Sequence, residues 1–281
     1  FQTPTMQFAE GELNMADSTM SFYPGGLPAN RWRLFSIPGK IDSNKVKPNN
    51  LEDGHVFYDW DPVAESWFKP DSIVIGRAYW FKHKYDEPVI FSNKDTKGYS
   101  VPLEPYEIKL HQGANMVGSP FPFPVRAELS EGVKGPYKYG SDLKEGWADT
   151  NVFEPWAGYA VDSPSDSGKI TFYPIQDTTI AARTTNSGWR LNLDLSSNSS
   201  FDRTSAIGRC DACEENVDMN DMRLLPSLTQ RVFISLDIIN DGQFDYSKDL
   251  RSTSEFNGVW NMRVNRPNAE GSLTLKGAYE N

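Results

Sequence analysis

The chain has 281 residues, 38% of them hydrophobic and 13% aromatic, which is enough apolar material for a large core and excludes global disorder. Its 28 basic and 38 acidic residues leave a formal charge of −10, and no basic stripe is interleaved with aromatics, so nucleic acid is excluded as a partner. No apolar run approaches the ~20 residues that span a bilayer, so no membrane insertion is expected.

A chain of this length predicts about two domains. Its 21 Gly and 19 Pro are spread along the sequence, which suits many short strands with tight turns. Residues 1–30 scatter Phe1, Met6, Phe8, Met15, Met20, Phe22 and Tyr23 among Gly, Pro, Ser and Thr. No helical period holds there, so an extended N-terminal arm is expected. Exposing so many apolar side chains is unfavourable. The arm is therefore expected to pack on the chain's own sheets or on a neighbouring copy, by adding to an open sheet edge. The first residues, FQTPTMQFAEGEL, have neither a basic n-region nor an apolar h-region, as expected if a signal has been removed or the chain is a fragment.

From residue 31 the sequence repeats itself. ESWFKPDSIVIGRAYWF at 65–81 returns eighty residues later as EGWADTNVFEPWAGYAV at 145–161. Glu65 matches Glu145, Trp67 matches Trp147, Tyr79 matches Tyr159 and Ile90 matches Ile170, with no gap between 57–92 and 137–172. The openings WRLFSIPG at Trp32 and ANMVGSPFPFPV at 114–125 align Pro38 with Pro120, so the intervening loops differ by two residues. A fixed period that keeps large apolar residues in place predicts a duplicated structural unit. Each copy is expected to hold an opening strand, an aromatic strand (VFYDW at 56–60, PYKYG at 136–140) and a polar turn before its Trp. The Tyr79 or Tyr159 strand and a last strand (PVIFS at 88–92, KITFYP at 169–174) follow. Alternation in AYWFKHKY and GYAV predicts half-buried antiparallel strands.

After residue 178 the pattern changes. WRLNLDLSS puts Trp189, Leu191, Leu193 and Leu195 on one face. RVFISLDI at 231–238, VWNMRVN at 259–265 and GSLTLKGAY at 271–279 alternate alike, and NDG at 240–242 predicts a turn. No stretch gives an amphipathic helix of three turns. The expected fold is all-β: a duplicated antiparallel β unit at 31–178, with repeats 31–105 and 106–178, then an immunoglobulin-like or jelly-roll-like β-sandwich at 179–281.

Two cysteines occur, in Cys210-Asp-Ala-Cys213. A redox motif would need a strand before it and a helix after it. Zinc would need further ligands, and only His55, His83 and His111 add to the carboxylates. Compartment logic favours a local disulfide in an exported protein.

The second repeat, GANMVGSPFPFPV followed by EPWAGYAV, resembles a module of large secreted bacterial proteins with a "GWNLIGNPFP" opening and a "pGxGYWV" close. The last domain is similar to the module that often follows it, through WRLNLDLSS, VDMNDMRLLPSL at 217–228, KDLR at 248–251 and VWNMRVN. Such modules belong to type IX secretion cargo. The resemblance covers roughly residues 31–281, and it implies export and display at a cell surface without catalysis. Ala114, where that family has Trp, and the CDAC segment depart from the pattern.

Chemistry-bearing motifs are few. Ser141-Asp-Leu-Lys144 matches SxxK without companion motifs and reads as a polar turn. Three scattered histidines argue against a Ser–His–Asp site. Asp211, Glu214, Glu215, Asp218, Asn220 and Asp221 offer oxygens for calcium, but Met222 breaks the next ligand position, and Ile239 does the same in DIINDG at 237–242. No cofactor is expected, calcium at this loop being the alternative. Trp60, Trp80 and Trp156 face Gly140, Ala160 and Gly76 in the repeat alignment. A core role would be expected in both copies, so these three are the candidate ligand-stacking aromatics, against the general burial of large rings. The expectation is a non-enzymatic extracellular structural or adhesion module that meets other domains or copies of its surface protein. The alternative is a carbohydrate-binding module of a secreted glycan-degrading enzyme.

Overall fold

A computed structural model describes residues 12–15, 26–39, 54–87, 99–102, 104–140, 146–177, 188–198, 200–228, 235–239, 244–254, 258–266 and 271–280. Most of the N-terminal arm, PVIFS at 88–92, the SxxK segment at 141–144 and the NDG turn at 240–242 lie outside the described residues. All regular elements among the described residues are strands. In chain order they begin with β1 (Glu12–Met15), β2 (Arg33–Ser36), β3 (His55–Asp61), β4 (Ser66–Phe68), β5 (Ala78–His83), β6 (Tyr99–Pro102) and β7 (Tyr106–Lys109). There follow β8 (Gly113–Gly118), β9 (Ala127–Leu129), β10 (Lys134–Tyr139), β11 (Trp147–Asp149), β12 (Gly158–Ser163), β13 (Lys169–Phe172) and β14 (Gly188–Ser196). The last are β15 (Phe201–Asp202), β16 (Ala206–Cys210), β17 (Met222–Arg223), β18 (Ser235–Ile239), β19 (Asp245–Ser252), β20 (Asn261–Asn265) and β21 (Thr274–Glu280).

The chain divides into two compact units, Phe1–Pro136 with Thr150–Thr179, and Tyr137–Asp149 with Ile180–Asn281. Within the arm, β1 pairs antiparallel with β6. One four-stranded sheet runs β2-β5-β3-β4 and another β8-β12-β10-β11. Register repeats between them. Leu34, Phe35 and Ser36 of β2 lie opposite Trp80, Tyr79 and Ala78 of β5. Met116, Val117 and Gly118 of β8 lie opposite Ala160, Tyr159 and Gly158 of β12. These are the residues that the sequence alignment matches, pair for pair.

The hairpin strands depart from that correspondence. Trp67 of β4 lies opposite Trp60, whereas Trp147 of β11 lies opposite Tyr139, the counterpart of Asp59. The two hairpins therefore differ in register by one residue, which turns side chains to the other face. Trp147 is buried and meets Tyr139 edge-on, while Trp67 is half-buried between Trp60 and Trp80.

Two core clusters are found among the described residues of the first unit. Phe35, Tyr79 and Phe81 form one, and Val117, Phe153, Tyr159 and Phe172 another. A three-stranded sheet, β7-β13-β9, closes over the second. In the second unit β14 is the longest strand and pairs with β15, β16 and β21. Leu193 and Leu195 are buried with Ile238 and Tyr246, as the alternation in WRLNLDLSS predicts. Among the described strands of this unit, β16 and β19 pair parallel. A parallel pair needs a long crossover, and the chain between these strands supplies β17 and β18, both of which also join β19. Asp202 is buried and accepts hydrogen bonds from the N–H groups of Thr204 and Leu236, fixing the corner after β15.

Candidate functional site

The three tryptophans singled out from the sequence do not form a surface. Trp80 and Trp156 are 0% and 1% exposed, so neither presents a ring face to a ligand. Trp80 sits in the middle of β5, between β2 and β3, with Leu34 and Tyr58 as its partners in register. Trp156 packs with Leu27, Phe35, Ile37, Tyr79 and Phe81. The reasoning that a ring without a counterpart is free for the surface fails: Trp156 fills space in one core, whereas the space beside its counterpart Gly76 is taken by Tyr106 and Ile108, and Trp80 is enclosed between two neighbouring strands. Trp60 is half-buried; its indole N–H donates to the Ala114 carbonyl at 2.9 Å and its ring lies 4.7 Å from that of Trp67. Beneath it, burial pushes the Asp59 carboxyl upward, while Arg77, 2.5 Å away, pulls it back down.

The repeated tyrosines have one job. The Tyr79 hydroxyl accepts the N–H of Val74 at 2.9 Å, and the Tyr159 hydroxyl accepts the N–H of Glu154 at 2.7 Å. Each phenol thus braces the turn that leads into its own strand, five residues earlier. Burial pushes the Tyr79 phenol up to about 12 and the Tyr159 phenol higher still, so both stay protonated and act as fixed struts. His83 is braced in the same way. It accepts from the N–H of Tyr85 at Nδ1, so its Nε2 carries the proton and donates to the Leu27 carbonyl at 2.6 Å.

In the second unit Cys210 and Cys213 are joined by a disulfide that closes the turn after β16. The acidic run beyond it binds its own backbone. Asp218 accepts the N–H groups of Glu214 and Asn220, both at 2.6 Å. Asp221 accepts those of Asp218 at 2.7 Å and Leu250 at 2.8 Å. Burial raises Asp221 to about 6 against the pull of those two hydrogen bonds. The Asp211 carboxylate accepts the Thr253 hydroxyl at 2.7 Å. Among the described residues no three His, Cys, Asp or Glu side chains are grouped to hold a metal ion.

A different aromatic group reaches the surface. Tyr279 of β21 is 62% exposed, and its ring lies 6.3 Å from Trp189 at 22°. Trp189 meets Trp260 edge-on at 5.9 Å, and the guanidinium of Arg251 lies 4.9 Å from the Trp260 ring. Arg209 stands on the same ring at 5.7 Å and Glu215 lies 3.7 Å from Arg209. A near-parallel aromatic pair can stack on an apolar face; the two guanidiniums are largely buried and donate to the Ser252 and Val259 carbonyls and the Asp249 carboxylate, so they hold Trp260 in place. Sequence reasoning missed this group because Trp189 and Tyr279 are ninety residues apart. The available signal was that each sits on the apolar face of its strand; that the start of β14 lies beside the end of β21 is decided by the tertiary pairing.

No family model matches the chain, and neither does any curated protein or solved structure.

Proposed function

We propose that the chain is a non-enzymatic structural or adhesion module of an exported bacterial surface protein, built as a duplicated antiparallel β unit followed by an immunoglobulin-like or jelly-roll-like sandwich. The observation that carries this reading is the use of the repeated residues. Tyr79 and Tyr159 brace backbone turns, and Trp147 is buried, so the features kept by the repeat serve the scaffold. The repeated register of β2 on β5 and β8 on β12 supports the duplication. The disulfide supports an oxidising compartment. Strand β21 supports association with other domains or copies. Its side chains are all exposed, including Leu275 and Tyr279, and among the described strands it pairs with β14 alone. Such an edge is open to a further strand.

Light scattering and crosslinking of the purified chain test this reading, together with thiol labelling without reductant. Concentration-dependent assembly with no labelled thiol is expected. A chain that stays monomeric, or labels at two thiols, refutes it. A second reading, a carbohydrate-binding module, is favoured by the Tyr279–Trp189 pair. Under it the monomer would be retained on insoluble glycan and Tyr279→Ala would release it.

A further inference from the structure

We infer that the two copies of the repeated unit meet across a local two-fold axis. The surface made by β2 and the residues entering β5 is then self-complementary, and the partner it fits is another copy of the same unit. Here that partner lies within one chain, as β8 and the residues entering β12. The inference rests on the proposed duplication and goes beyond it, because tandem copies can share a fold without meeting symmetrically.

The backbone carries the first observation. The N–H of Ser36 donates to the Trp156 carbonyl at 3.1 Å, and the N–H of Gly118 donates to the Gly76 carbonyl at 3.1 Å. In the repeat alignment Ser36 corresponds to Gly118 and Trp156 to Gly76. Exchanging the copies therefore turns each hydrogen bond into the other. Two isolated bridges obey the same rule: Phe35 bridges Ala157 and Arg77 bridges Val117, where Phe35 corresponds to Val117 and Arg77 to Ala157. Reciprocal contacts of this kind define an isologous interface; a head-to-tail contact would supply one member of each pair without the other.

Side chains near the axis give a second, independent observation. On a two-fold axis each residue faces its own counterpart. A Cβ placed on Gly118 would lie 2.0 Å from the Cβ of Ser36, and one placed on Gly158 would lie 2.8 Å from the Cβ of Ala78. Ser36 and Gly118 are counterparts, as are Ala78 and Gly158. Two Cβ atoms cannot share either place, and at both positions the first copy keeps the side chain while the second has glycine. Two identical chains must carry the same residue on both sides of an axis. A chain containing both copies can divide a position in this way and a dimer of identical single copies cannot, which gives the fusion a physical consequence.

The two-fold image of one further bond is already prepared. Ser36 Oγ donates to the Ala157 carbonyl at 2.7 Å. A Cβ on Gly118 would stand 3.1 Å from the carbonyl oxygen of Arg77, the counterpart of Ala157. Away from the axis the symmetry breaks at Trp156. Trp156 and Gly76 share a left-handed backbone, with φ of 68° and 85°. The Trp156 ring enters the first copy's core, whereas the space beside Gly76 is taken by Tyr106 and Ile108.

Exchanging the axial pair in the full chain tests the axis. Gly118→Ser alone should lower the urea midpoint sharply, since its Cβ meets that of Ser36. Ser36→Gly alone should lower it slightly, and it serves as the folded reference. The two together should unfold at or above the midpoint of Ser36→Gly, because the transferred hydroxyl then reaches the Arg77 carbonyl. A double variant that unfolds below Ser36→Gly, or fails to fold where Ser36→Gly folds, overturns the axis. Assembly state and glycan retention are read separately, so the structural-module proposal stands or falls without this result.

Discussion

Replacing Trp156 should produce an inverted order of stability. The ring is fully buried among Leu27, Phe35, Ile37, Tyr79 and Phe81, and truncating a buried Trp to Ala costs roughly 3–5 kcal/mol. Its backbone has φ of 68°, a region that an L-residue enters at a cost of about 1–2 kcal/mol and glycine enters freely. Trp156→Ala keeps that strain and loses the ring. Trp156→Gly loses the ring and releases the strain, against a smaller entropic cost of glycine in the unfolded chain. In ordinary backbone Gly is the worse of the two substitutions; here Trp156→Gly should be the better by about 1 kcal/mol, the residual after those opposing effects. Guanidinium unfolding followed by far-ultraviolet circular dichroism measures both variants without relying on tryptophan fluorescence. If Trp156→Gly is no more stable than Trp156→Ala, the left-handed conformation is absent. If both lose less than about 1 kcal/mol, the ring is not in the core.

Two further substitutions test the remaining struts. Tyr159→Phe should cost about 1–2 kcal/mol by stranding the Glu154 N–H, and Tyr79→Phe should cost less, because Val74 is exposed and its N–H can turn to water; equilibrium unfolding in which Tyr79→Phe is the more damaging contradicts this. Burial raises Asp221 to about 6, above its ordinary value near 4, so the folded chain binds that proton more tightly than the unfolded chain. Its contribution is therefore most favourable below the unfolded value and is lost as pH rises through about 6. Relative to Asp221→Asn, the wild-type chain should lose up to about 3 kcal/mol between pH 4 and 7, and a constant difference across that range shows that the carboxyl does not titrate there.

Several features are settled by local pattern. The alternation of Leu191, Leu193 and Leu195 is enough to predict a strand with one apolar face, because successive side chains point to opposite sides. The matched positions of Tyr79 and Tyr159 point to equal roles, and their hydroxyls make the same hydrogen bond five residues back. The spacing of Cys210 and Cys213 leaves several roles open, and the absence of a helix signal together with compartment logic favours the local bridge that the structure contains. What the sequence could not determine is how much room each counterpart has. Trp80 and Trp156 lack matching rings, yet both are interior, because side-chain volume is set by what packs from another part of the chain. Trp67 and Trp147 align, yet a one-residue difference in hairpin register gives them different surroundings. Tyr279 and Trp189 form a surface only because β21 returns to β14. Periodicity reports which way a side chain points from its own strand. Packing between distant segments decides whether that direction leads to a neighbour or to solvent.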